Sequence, residues 1–287
     1  MAHNNFSILE KLLMLIDDER NDIYVHIDKK TKEVPFKRLK AAVKNGTLSF
    51  IPRIAVQWGA DSQIRVTMML LEEAVKTDHV YYHFISGVDM PLKTQDEFHQ
   101  FFHENRGLEF IEFDRKFSGE SIKNRVGYYY PFQNRIGRGS GKIVAAFYYA
   151  QNFLVRIQKL MRMDRTRKSG FTLYKGAQWF SITHDFAQHL VSQKKVICKY
   201  FGRALNADEV FVQTIAGNSK FKDKIAGSYM RCIDWERGEP YTFTSEDYEL
   251  LMNSGMFFGR KFDEKTDMRI VNLIYTELMC RQKSIQA

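Results

Sequence analysis

Apolar and polar positions along this chain follow two different periods, and the first hundred residues switch regularly between them. From Phe6 to Asp17 the residues Phe6, Leu9, Leu12, Leu13 and Ile16 recur at helical spacing, which predicts an amphipathic helix with Asn5 and Ser7 as candidate caps. Asp22 to Ile27 reads as a short apolar strand ended by Asp28 and a lysine-rich turn, and Leu48 to Ile51 as a second strand. Asp61 to Lys76 reads as a helix opened by Asp61 or Ser62, and Val80 to Ile85 as a buried strand stopped by Ser86-Gly87. Such alternation predicts a parallel α/β sheet with its ligand at the C-terminal strand ends. Asp28, Trp58 and Asp89 fall just past such ends or in nearby loops.

The middle of the chain has a different texture. Glu109 to Phe113 reads as a strand, followed by an aromatic and glycine-rich stretch with Tyr128-Tyr129-Tyr130-Pro131 and Arg135 to Lys142. The glycines invite comparison with a phosphate-binding loop, but Ile136 stands where the first glycine of that motif belongs and Ile143 where its Ser or Thr belongs, so this reading is rejected. A long helix is expected from Lys142 to about Met163, then a strand from Trp179 to Ile182 and a helix from Thr183 through Ser192. With no internal repeat and no low-complexity linker, the expectation is one domain over residues 1–287.

Composition narrows the partners. At 287 residues with 44% hydrophobic and 14% aromatic content, the chain can bury a large core and has no signature of disorder. Its formal charge of +9 and pI near 9.3 attract anions, which include nucleotide phosphates, an anionic membrane surface and nucleic acid. The densest basic run is Arg162, Arg165, Arg167 and Lys168, read first as a solvated face and next as a membrane contact. Cys198, Cys232 and Cys280 are too few and too widely spaced for a disulfide framework or a Cys-x-x-Cys metal site, which fits a reducing compartment. No apolar run approaches the roughly 20 residues that span a bilayer, and the first residues lack signal-peptide architecture, so a cytoplasmic location is expected.

Two segments carry the chemistry. Asp208-Glu209 precedes the apolar Val210-Phe211-Val212, so Glu209 either caps a buried helix or presents a carboxylate to a cleft. Arg260-Lys261 stands between Phe258 and Phe262, a packed backbone that favours aimed cations over surface ones. Around them, in order, come Ala2-His3-Asn4, the string Tyr24 to Lys30 with His26-Ile27-Asp28, Val56-Gln57-Trp58-Gly59, Phe84 to Thr94, and Gln178-Trp179-Phe180. Together these collinear strings resemble the core-2/I-branching β-1,6-N-acetylglucosaminyltransferase family, which also contains the peptide O-xylosyltransferases, over nearly the whole chain.

That resemblance implies an α/β fold of GT-A type, a central mostly parallel sheet flanked by helices, with a nucleotide-sugar-binding half to about residue 115 and an acceptor-binding, catalytic half beyond it. It implies inverting transfer from a UDP-sugar, most readily UDP-N-acetylglucosamine and alternatively a xylosyl donor, to a hydroxyl of a glycan or lipid-linked glycan. Glu209 maps to the base, best served by a modestly raised pKa, and Asp208 sits beside it on the acceptor side. Arg260 and Lys261 map to the cations that meet the departing diphosphate in place of a metal. Asp28 maps to the nucleoside, Ala2 and His3 to the nucleotide, and Trp58, Gln178 and Trp179 to the sugar pocket. Family members carry a strand before the Ala2-His3 string, which here opens the chain, so either a start lies upstream or the sheet lacks most of its first strand. Glu112 is a candidate acceptor contact, and Asp89 a brace for the Ser86 to Pro91 turn. Arg231, Trp235 and Arg237 are further, unranked cleft candidates. No Asp-x-Asp occurs, and the nearest string, Glu112-Phe113-Asp114, would place two carboxylates on one strand face. Such a pair is the alternative site for a metal ion, but the resemblance implies a metal-independent enzyme, so no cofactor and no metal are expected. Lacking the anchor and disulfides of animal members, the chain reads as a bacterial relative acting in surface-polysaccharide synthesis, in contact at most with the inner membrane face. Competing classes are a basic nucleic-acid-binding module, which leaves the acidic pair unexplained, and a glycan-binding scaffold without activity.

Overall fold

The computed structural model describes residues 1–286 apart from 115, 117 and 118, and side chains as far as residue 282. In chain order these residues form α1 (Phe6–Leu15), β1 (Asp22–Val25), α2 (Phe36–Ala41), β2 (Thr47–Phe50), α3 (Asp61–Ala74), β3 (Tyr81–Phe84) and β4 (Met90–Pro91). Then come α4 (Gln95–Glu104), β5 (Phe110–Ile111), α5 (Gly119–Val126), α6 (Gln133–Ile136), α7 (Lys142–Leu160), β6 (Phe180–Thr183), α8 (His184–Ser192) and α9 (Lys194–Phe201). The chain finishes with α10 (Phe211–Gly217), β7 (Arg231–Ile233), α11 (Tyr248–Met252), β8 (Phe258–Arg260) and α12 (Met268–Gln286).

They fall into two compact units, each assembled from separated stretches of chain. Unit 1 comprises 1–53, 85–106 and 230–287, and unit 2 comprises 54–84 and 107–229. In unit 1, β1 and β2 pair in parallel from Asp22 against Thr47 to Val25 against Phe50. A second small sheet has the order β4-β8-β7, antiparallel between β4 and β8 and parallel between β8 and β7. Its core joins Leu9, Leu12 and Leu13 of α1 to Ile23 and Val25 of β1 and to Ile270, Ile274 and Leu278 of α12. Burying such a side chain in full is worth roughly 1.5–3 kcal/mol, so these stripes rather than helix propensity hold the unit together.

In unit 2 the sheet is β3-β6-β5, antiparallel at both pairings, with β6 buried at all four positions. Helix α8 starts where β6 stops because the Thr183 hydroxyl accepts the Phe186 N–H at 3.3 Å. That hydroxyl also donates to the fully buried Glu109 at 2.6 Å. Burial pushes the Glu109 carboxyl above its ordinary range, and the two hydrogen bonds from Thr183 pull it back.

The α/β class holds, in a layout of small sheets. The described strands form three small sheets in both pairing senses rather than one central, mostly parallel sheet. A short apolar run fixes a strand but not its direction, which the connections and packing decide. Of the two candidate caps of α1, Asn5 holds the cap position, in the left-handed region at φ 52°, although its side chain does not cap the helix and its amide donates to Asp263 at 3.2 Å. Ala60, not Asp61 or Ser62, is the cap of α3.

Candidate active site

In unit 1 the predicted nucleotide residues gather beyond the end of β1. Ala2 is buried beside the chain, donating its N–H to the His26 carbonyl at 2.9 Å and accepting the Asp28 N–H at 2.9 Å. Asp28 is buried too, and its carboxylate accepts the Lys30 N–H at 2.9 Å and lies 3.6 Å from the Lys30 ammonium. Arg53 fastens the same turn by donating to the carbonyls of Ile27, Asp28 and Thr31. His3 keeps an exposed edge, yet the protein packed around its imidazole lowers its pKa, with Asp28 opposing and Lys30 and Arg260 adding to the shift. Those couplings put His3, Asp28 and Arg260 in one neighbourhood.

Arg260 ends β8 with its guanidinium turned onto Asp89, Nη1 to Oδ1 at 2.7 Å, and onto the Ser86 hydroxyl. Asp89, 1% exposed, also accepts the Ser86 N–H at 2.8 Å and the Ser86 hydroxyl at 2.6 Å. It braces the Ser86 to Pro91 turn, as its spacing implied, and Arg260 neutralises it. Lys261 is half-buried, and among the described residues its ammonium has no carboxylate within 4 Å. Of the unranked candidates, Arg231 lies over the Phe258 ring at 5.0 Å, Arg237 pairs with Asp234 and Asp247, and Trp235 is exposed.

In unit 2 the acidic pair sits at the head of α10. Glu209 ends a short 3-10 turn, Ala207–Glu209, and its Oε2 accepts from Arg125 Nη1 at 2.7 Å with Lys175 Nζ 3.8 Å away. Among the described residues nothing donates to Oε1. Lys175 also lies 3.5 Å from Asp114 Oδ2. Glu112 belongs to the same cluster: burial raises its pKa, and repulsion from Asp114 and Glu209 adds to the rise while Lys175 opposes it. The structure thus joins the predicted Glu112 and Glu209 to two cations, Arg125 and Lys175, that no motif marks.

The loop bearing Lys175 is locked from two sides. Its 174–178 segment is stitched to α10, where Gln213 donates to the Ala177 carbonyl at 2.7 Å and Thr214 bonds both backbone groups of Tyr174. Opposite, Lys175 gives its carbonyl to the Asp114 N–H at 2.8 Å, and the Gly176 N–H donates to the Glu209 carbonyl at 2.9 Å. Gly176 has to be glycine, because a Cβ there would stand 1.8 Å from the Glu112 carbonyl oxygen.

Asp208 points inward. It is 6% exposed, with Oδ2 accepting from Gln63 at 3.0 Å and Oδ1 buried without a partner among the described residues. Burial, then repulsion from Glu209, raises its pKa to about 7. Gln63 also accepts the Gly59 N–H at 2.6 Å, so it ties the Trp58-Gly59 loop to the acidic pair. That loop needs its glycine: φ is +69°, and a Cβ would meet the Asn206 side chain at 2.3 Å. Trp58 is 46% exposed, with Arg138 over its ring at 4.7 Å. Trp179 is buried and stacked on Phe84, centroids 5.4 Å apart, while the Gln178 amide nitrogen is buried with no partner among the described residues.

The Glu112 and Asp114 carboxylates lie past the end of β5, so they are not the one-face pair of a continuous strand. They face an ammonium, and among the described residues no three of His, Cys, Asp and Glu are grouped to hold a metal ion.

An α/β architecture with a carboxylate paired to two cations in one unit and a buried acid just past a strand end in the other is compatible with the class expected from the motifs. Comparison with known proteins agrees. The family model of the Core-2/I-branching enzyme matches residues 1–252, so the chain belongs to that family, and its fold is of GT-A type. It is 20% identical to xylosyltransferase 2 of Rattus norvegicus over 93% of this chain and 31% of the relative. To the xylosyltransferase of Ciona intestinalis it is 22% identical, over 92% and 32% of the two chains. To the β-glucuronosyltransferase GlcAT14B of Arabidopsis thaliana it is 22% identical, over 96% and 63%. The chain therefore spans about a third of the xylosyltransferases and under two thirds of the plant protein.

Proposed function

We propose that this protein is an inverting glycosyltransferase that moves a sugar from a UDP-sugar to a hydroxyl of a glycan or lipid-linked glycan, without a metal ion. One observation carries the reading: Glu209 is a carboxylate with one oxygen held by Arg125 and the other open among the described residues, at the position the family motif gives the base. In the reaction Oε1 takes the proton of the acceptor hydroxyl while that oxygen attacks the anomeric carbon and the bond to the diphosphate breaks on the opposite face. Arg125 fixes the carboxylate's orientation, so little reorganisation accompanies proton transfer. Negative charge appears on the leaving diphosphate, where fixed cations stabilise it. We assign that work to Lys261 first and to Arg260 second, since Arg260 already serves Asp89.

Glu112, whose pKa burial raises, is assigned to the acceptor, where its carboxylate can accept a hydrogen bond from a sugar hydroxyl. Trp58 supplies an exposed ring for the sugar, and Gln178 is assigned to the same pocket by its motif. Asp208 is assigned to bracing the Trp58-Gly59 loop through Gln63, since its carboxylate is buried. N-acetylglucosamine is the donor sugar proposed from the family resemblance, whose motifs its xylosyltransferases share. The relatives' names favour a second reading, transfer of xylose or glucuronate.

Thermal denaturation with UDP, UDP-N-acetylglucosamine, UDP-xylose and UDP-glucuronate, with chelator and with manganese, tests this. A ligand that binds only the folded chain raises its Tm. UDP and one UDP-sugar should do so equally in both conditions. A rise that demands manganese would contradict metal-free binding, and no rise with any of them would contradict the assignment of the donor.

A further inference from the structure

Helix α7 has two opposed faces, and only one of them is used by the fold. Val144, Phe147, Gln151, Val155 and Gln158 recur at helical spacing and turn inward, with Gln151 and Val155 buried. Gln151 accepts the Phe132 N–H at 3.1 Å and donates to Gln133 at 3.1 Å. On the far side, at the same spacing, stand Lys142, Ala146, Tyr149, Phe153, Arg156 and Leu160. The large apolar members of that stripe are in solvent: Tyr149 is 71% exposed, Phe153 63% and Leu160 83%. Ile143 and Met161 extend it at either end, both more than two-thirds exposed. A helix facing water would carry polar residues along this side, and a contiguous exposed apolar patch marks a docking surface.

The charge pattern says what docks. From residue 135 to 168 there are nine Lys and Arg against the single acid Asp164, a local excess of eight where the whole chain has an excess of nine. Eight of those nine cations, all but Arg165, are exposed. A second copy seated on this face would bring its own Lys142 and Arg156 against the same pair, which like-charge repulsion opposes. A nucleic acid would satisfy the cations, but it would leave Ile143, Leu160 and Met161 in water. An anionic bilayer satisfies both: aliphatic and Phe side chains enter the acyl boundary, Tyr sits at headgroup depth, and Lys and Arg meet the lipid phosphates. Among the described residues no helix is long and apolar enough to cross a membrane, so the contact lies in the plane of the interface.

We propose that the outer face of α7 docks this protein on an anionic phospholipid bilayer. The proposal stands independently of the glycosyltransferase reading, but it suits a lipid-linked acceptor, because Gln133, bonded to Gln151 of α7, also donates to the Trp58 carbonyl at 3.2 Å.

The test is co-sedimentation of the full chain with vesicles of phosphatidylcholine alone and of phosphatidylcholine mixed with phosphatidylglycerol, at low and high salt. The parent should pellet with the anionic vesicles, weakly at high salt, and stay in solution with the neutral ones. Tyr149→Ser/Phe153→Ser/Leu160→Ser should weaken vesicle binding by roughly tenfold or more, since it removes the buried apolar area, with unchanged circular dichroism and Tm because all three side chains are exposed. Lys142→Gln/Arg156→Gln should weaken it at low salt only. Parent-like vesicle binding by the triple serine variant would overturn the proposal. So would failure of the parent to bind anionic vesicles, or a parent dimer in sedimentation velocity that the serine variant dissolves.

Discussion

Unit 1 and unit 2 use the same kinds of charged side chain in opposite ways. In unit 1 the conspicuous charges are turned inward: Arg260 neutralises the buried Asp89, and Asp28 closes its own turn through the Lys30 N–H. In unit 2 the base candidate is held by a cation on one side and left open on the other, since Arg125 takes Oε2 of Glu209 and no described residue takes Oε1. The first arrangement positions backbone. The second orients a carboxylate and, among the described residues, leaves one of its oxygens available. A motif read from sequence shows only that a charge is present, and the partner it faces decides which kind of work it does.

The sharpest way to break that contrast is to remove a charge from each side. Arg260→Ala leaves Asp89 buried without its cation, a change that typically costs about 3–5 kcal/mol, so its Tm should fall steeply whether or not UDP binds there. Lys261→Ala, with no acid to abandon, should leave the Tm near that of the parent. Urea denaturation of the two variants side by side decides the matter, and equal stabilities would make Arg260 a surface cation.

Next in size is a pH effect. An unfolded aspartate titrates near 3.9, about 3 units below Asp208 in the fold, so the folded state binds this proton more tightly. Asp208 therefore favours folding fully below about pH 4, and that contribution is lost as the pH rises through about 7. Asp208→Asn removes the dependence, and its stability relative to the parent should be greater at pH 8 than at pH 4 by on the order of 4 kcal/mol, about 3 units at roughly 1.4 kcal/mol each. A pH-independent difference would mean that Asp208 stays ionised in the fold. The smallest effect belongs to UDP affinity: Lys261→Ala should weaken it about fivefold, near 1 kcal/mol for one charge-assisted contact to phosphate. Unchanged calorimetric affinity would remove Lys261 from the donor site.

Legibility in the sequence follows the range of the interaction. α1, β1, β2, α3, β3, α7 and β6 lie within a few residues of where hydrophobic periodicity puts them, because that signal is local. Signals of the same local kind announce α4, through the Thr94-x-x-Glu97 capping box, and α12, through Ile270, Val271, Ile274 and Leu278, though a reading for strands and motifs passes over both. β5 is shorter than its apolar run, Glu109 to Phe113, because the chain leaves β6 after Ile111 and carries Glu112 toward Gly176. The site divides the same way. His3, Asp28, Glu209, Arg260 and Lys261 were nameable from collinear strings, whereas Arg125 is 84 residues from Glu209 and Lys175 belongs to no string. Only tertiary packing brings those two cations to the carboxylate. The inward turn of Asp208 was equally hidden, since adjacent acids look alike until Gln63 is placed between one of them and the Trp58-Gly59 loop.

The proposed mechanism makes Glu209 a base whose work is separate from nucleotide binding, and one variant tests both halves. Glu209→Gln keeps the size of the side chain but cannot take the acceptor proton, and loss of general-base catalysis typically costs a hundredfold or more. Transfer rate, UDP affinity and Tm should be measured on the same preparation. The expected result is transfer reduced by about a hundredfold or more, with UDP affinity retained and the protein still folded. A folded Glu209→Gln protein that transfers sugar at nearly the parent rate would contradict the mechanism.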